Sequence, residues 1–72
     1  MVAVTSEAVA QIEYDASAHT LFVQFTSGEW YAYFRVPAAV HEAFLAAESK
    51  GRFFQERIRD RYDYAGPLEV RP

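Results

Sequence analysis

The sequence predicts a small α+β domain, a three-stranded antiparallel meander followed by two helices packed on one sheet face. Three observations predict it. Residues 8–36 alternate apolar and polar or amphipathic side chains with the period of a strand, and turn-forming residues interrupt that alternation twice. Pro37 ends the alternation and opens an alanine-rich stretch with apolar residues at helical spacing. A sheet with one apolar face also needs a second layer to bury it.

The first strand is expected over 8–14, with Ile12 and Tyr14 on one face and Gln11 and Glu13 on the other. Asp15-Ala16-Ser17-Ala18 reads as a turn in which the Asp15 carboxylate bonds its own downstream backbone. Thr20–Phe25 is the second strand, with Leu21, Val23 and Phe25 sharing a face. Thr26-Ser27-Gly28-Glu29 follows as a hairpin turn, Gly28 supplying a positive φ. Trp30–Val36 is the third strand. With Ser27 and Gly28 as a two-residue turn, Phe25 opposes Trp30, Val23 opposes Ala32 and Leu21 opposes Phe34, all on one face. The other face then holds Gln24 opposite Tyr31, Phe22 opposite Tyr33 and Thr20 opposite Arg35. Ala38–Ser49 is the first helix, with Val40, Phe44 and Ala47 as its apolar stripe and Gly51 as its stop. Arg52–Arg59 is the second, anchored by Phe54 and Ile58. Residues 1–7 are expected to be flexible, 8–62 to form a single domain, and 63–72 to be an irregular tail.

At 72 residues, 51% hydrophobic and 17% aromatic, the chain is one small ordered domain rather than a disordered segment. It has no cysteine, so neither a disulfide nor a thiolate metal site supports the fold. No run approaches the ~20 apolar residues of a membrane helix. Met1–Glu7 lacks the basic start of a signal peptide, so a cytoplasmic protein is expected. Charge is segregated: residues 1–49 carry −5, residues 50–61 carry +3 and residues 62–72 carry −1. An acidic chain is not a typical nucleic-acid binder, but the basic segment can dock phosphates locally.

The chain resembles the KTSC domain, a small module named after the C-terminal region of some lysyl-tRNA synthetases and also found as a stand-alone bacterial protein. The resemblance rests on Ile12-Glu13-Tyr14-Asp15, then Thr20–Phe25 leading into Gly28, then Tyr31-Ala32-Tyr33 running into Val36-Pro37. Ala47–Phe54 and Ile58-Arg59 complete it, so that it covers roughly residues 8–62. It implies no catalytic residues, and the synthetase context implies RNA as a partner. The 72 residues do not include the synthetase catalytic domain, so aminoacylation is not expected of them.

The candidate site is a stacking platform of Phe22, Tyr31, Tyr33 and Arg35, backed by Lys50, Arg52, Arg57 and Arg59, with Arg61 beyond them. Bases of single-stranded RNA or DNA stack on sheet-borne aromatics, and nearby cations meet phosphate. The alternative is that the rings pack under a helix while the arginines form a solvated face screened by Glu56 and Asp60. Surplus rings also suit a protein partner or a homodimer. Ser49 reads as a cap rather than part of a phosphate loop. His19 and His41 have no partner at metal-ligand spacing, so neither a metal nor a cofactor is expected, and no nucleophile arrangement points to an enzyme.

Overall fold

A computed structural model describes residues 9–69, and the predicted flexible residues 1–7 lie outside them. The chain order is β1 (Val9–Asp15), β2 (Thr20–Phe25), β3 (Trp30–Tyr33), α1 (Ala38–Ala46), α2 (Lys50–Arg57) and β4 (Tyr64–Leu68). The α+β class holds, with four strands in place of the predicted three. All neighbours are antiparallel in the order β1-β2-β3-β4, and both helices lie in the connection from β3 to β4. The tail read as irregular therefore contributes an edge strand. Its Tyr-Ala-Gly-Pro-Leu sequence has no alternation to announce it, and Pro67 is tolerated because an edge position leaves one row of backbone groups unpaired.

The β1–β2 turn forms as its chemistry dictates. The Asp15 carboxylate accepts from Ser17 N (3.1 Å), Ser17 Oγ (2.7 Å) and Ala18 N (3.3 Å). In β1–β2, Ile12 opposes Val23 and Tyr14 opposes Leu21, which keeps the expected apolar face together.

The β2–β3 hairpin corrects the predicted register. Phe25 N donates to Glu29 O (3.0 Å) and Gly28 N to Phe25 O (2.8 Å), so the loop holds three residues, Thr26-Ser27-Gly28, with Gly28 at φ 98°. The observed pairs are Gln24–Trp30, Val23–Tyr31, Phe22–Ala32 and Leu21–Tyr33. One extra loop residue slips the register by one and exchanges the two faces of β3. Tyr31 and Tyr33 thus join Leu21, Val23 and Phe25 beneath the helices. Trp30 and Ala32 lie with Phe22 on the outer face. Phe34, predicted on the core face, falls beyond β3 and is 39% exposed.

The core sits between the sheet and the helices. Leu21, Val23 and Tyr33 from the sheet meet Val36, Phe44, Phe54 and Ile58. The helix boundaries also differ from the expected ones. Pro37 stands at the N-cap of α1 in extended conformation, its carbonyl accepting from Val40 N (3.0 Å) and His41 N (3.3 Å). Ala47 is extended and closes α1 after Ala46. Ser49 caps α2, its Oγ accepting from Arg52 N (3.2 Å), so Gly51 lies within the first turn of α2 rather than stopping α1. Tyr14 ties the layers together: its hydroxyl donates to Val36 O (2.5 Å) and its ring stacks on His41 at 4.5 Å.

Candidate binding cleft

The register places one row of side chains, Tyr31 and Tyr33, along the helix-facing side of β3, because alternate residues share a face, and Glu29 stands just before the strand. Phe25 stands beside this row on β2, its ring edge-on to Tyr31 at 5.5 Å. Phe54 of α2 closes over both, with centroids 5.1 Å from Phe25 and 5.4 Å from Tyr33. Tyr64 of β4 forms the opposite wall, stacked on Tyr33 at 5.6 Å and tilted against Tyr31 at 6.0 Å. Between these rings lies a cleft of about 440 Å³, a volume suited to a small ligand. Its polar rim is Ser27 and Glu29 from the hairpin and Arg59 and Asp60 from the turn after α2.

The rings differ in what they can offer. Tyr33 is 4% exposed and belongs to the core, Tyr31 is half-buried, and Tyr64 is 58% exposed. Gly66 seats the last wall. It has φ 147°, and a Cβ there would lie 2.6 Å from Tyr31 Cδ2 and 3.1 Å from Trp30 O. Glycine at this position lets β4 approach the Tyr31 ring.

Of the predicted site residues, only Tyr31, Tyr33 and Arg59 line this cleft. Phe22 is on the other face of the sheet, opposite Ala32, which corrects the predicted shared platform. Arg35, at φ 60°, stands at the far end of β3 in a shallow hollow with Ala18, His19 and Pro37. Lys50 bonds back to the Ala47 carbonyl at 2.6 Å. Arg52 pairs with Glu56 at 3.2 Å, both exposed. Arg57 lies over the Phe53 ring at 5.7 Å. Because α2 ends at Arg57, Arg57 and Arg61 share no helix face. The basic segment is thus dispersed, and Arg59 alone of its cations lines the cleft.

Phe25, Glu29, Phe54, Asp60 and Tyr64 fall outside the site that the sequence predicts. The signal for Glu29 is present in the parity of Glu29, Tyr31 and Tyr33. The others meet only through long-range packing. Among the described residues no group of three or more histidine or carboxylate side chains is placed to hold a metal, and no helix is long and apolar enough to cross a membrane.

The chain has relatives over most of its length. A protein of Tsukamurella paurometabola is 39% identical over 59 residues, 82% of this chain and 88% of that protein. The Lysine--tRNA ligase of Trichormus variabilis is 36% identical over 56 residues, 78% of this chain, and the chain spans only 10% of that enzyme's length. The crystal structure of a KTSC domain protein from Yersinia pestis superposes with a TM-score of 0.79 at 35% identity, covering 86% of this chain and 87% of that one. The family model for the KTSC domain matches residues 5–62, and the chain belongs to that family.

Proposed function

We propose that this KTSC domain is a binding module rather than an enzyme, and that its aromatic cleft takes up a base of single-stranded RNA. One observation carries the reading: half-buried Tyr31 and exposed Tyr64 flank a single cavity that also holds Arg59. Aromatic faces stack bases whatever their identity, and an adjacent guanidinium can meet a backbone phosphate at the rim or stack in turn. The similar segment in Lysine--tRNA ligases supports RNA as the nucleic acid. The homodimer alternative draws less from the geometry, since Tyr33, which such a surface would present, is 4% exposed.

The test is fluorescence anisotropy with a labelled single-stranded RNA and a Tyr64→Ala variant. Tyr64 is 58% exposed, so its removal leaves the core intact. Losing one stacking wall weakens binding by about 1–3 kcal/mol. With Arg59 the one cation lining the cleft among the described residues, the salt dependence is shallow, about −0.7 in log K per log salt for a single phosphate contact. Equal affinity of wild type and Tyr64→Ala refutes the cleft as the site.

A further inference from the structure

We propose that the cleft selects guanine through the carboxylate of Glu29, an inference that rests on the base-binding reading. Among the described residues, the polar rim carries two carboxylates, Glu29 and Asp60, against one guanidinium, Arg59. That balance keeps phosphate out of the cleft interior and fits a ligand edge rich in hydrogen-bond donors, since an ionised carboxylate only accepts. Glu29 precedes Tyr31 by two residues, just before β3 begins, and both line the cleft, so their backbones are at most about 7 Å apart. A base lying over the Tyr31 ring has the Glu29 carboxylate within reach of one edge, since both residues line the one cleft. Among the four RNA bases, guanine alone presents two adjacent donors on its Watson–Crick edge, N1–H and N2–H2, which match the two oxygens of a carboxylate. Adenine and cytosine present one amino group beside an acceptor, and uracil one N–H between two acceptors. Each of those sets an acceptor against a carboxylate oxygen. Reading a single-stranded base along this edge is the usual route to sequence preference in RNA recognition. Asp60, on the rim from the turn after α2, takes no part in that pair.

The experiment is an amide NMR titration of the full chain with GMP, AMP, CMP and UMP in parallel, on the wild type, Glu29→Gln and Asp60→Asn. GMP is expected to bind roughly 5- to 150-fold more tightly than the other three, the range of one good bidentate pair. Glu29→Gln abolishes that ratio while the weaker binding of all four persists, and Asp60→Asn retains it. Equal binding of the four nucleotides overturns guanine selection and leaves the base-binding reading standing. Binding of none overturns both. A guanine preference that survives Glu29→Gln overturns the assignment to Glu29.

Discussion

Gly66→Ala tests how β4 and the cleft are joined. At φ 147° an alanine is strained before any neighbour is considered, at a cost of about 1–3 kcal/mol. Its Cβ would also stand 2.6 Å from Tyr31 Cδ2, 2.9 Å from Tyr31 Cγ and 3.1 Å from Trp30 O. Cγ and a backbone carbonyl are not the free end of a flexible side chain, so either β4 or the Tyr31 ring must move. Overpacking of this kind adds about 1–3 kcal/mol. The expected total is about 2–6 kcal/mol, read as a fall of more than about 1 M in the urea midpoint for a chain with an m-value near 1–1.5 kcal/mol/M. Gly28→Ala is the matched control. Gly28 also has a positive φ, 98°, but nothing lies within 4 Å of a Cβ added there, so only the conformational cost of about 1–2 kcal/mol applies. The difference between the two variants isolates the approach of β4 to Tyr31. Equal destabilisation of Gly66→Ala and Gly28→Ala would refute this seating of β4.

Three further outcomes are expected from the same geometry. Phe54→Ala removes a ring that is 2% exposed and packs against Phe25 and Tyr33, and calorimetry should show a loss of about 3–5 kcal/mol. Ser49→Ala removes the α2 cap and should cost about 0.5–2 kcal/mol by urea denaturation, with the loss largely retained in Ser49→Val and largely rescued in Ser49→Asp. The Ser17 hydroxyl, followed by the backbone N–H groups of Ala18 and Ser17, holds the Asp15 carboxyl below its ordinary value of 3.8. Its stabilising contribution is therefore present above pH 3.8 and is lost as pH falls through the lower folded value, and Ser17→Ala should raise the Asp15 midpoint toward 3.8 in a carboxyl-detected NMR titration.

What is legible in the sequence follows from local rules. Parity separates Tyr31 and Tyr33 from Trp30 and Ala32, and period two identifies β1, β2 and β3. Which set faces the helices depends on the length of one loop. Two- and three-residue loops both accommodate Gly28, and local sequence does not choose between them. The core chooses, because the three-residue loop places Tyr31 and Tyr33 beside Leu21, Val23 and Phe25, where Phe54 closes over them. β4 is illegible for a different reason. Its Gly66 and Pro67 are strand breakers by propensity, and its place is fixed by pairing with β3 and by contact with Tyr31. The cleft inherits both limits. Tyr31, Tyr33 and Arg59 are legible as residue types suited to binding. Phe25, Phe54 and Tyr64 join them only once the register and the fourth strand are in place. The basic segment misleads because clustering in sequence does not become clustering in space: Lys50, Arg52 and Arg57 are each held by local contacts along α2.

Base binding in the cleft is tested most directly by an amide NMR titration with a short single-stranded RNA containing guanosine. Shifts are expected to cluster at Phe25–Tyr33 and Arg59–Tyr64, with Arg35, Lys50 and Arg52 unmoved. Shifts confined to Lys50–Arg57, or none at millimolar RNA, would contradict it.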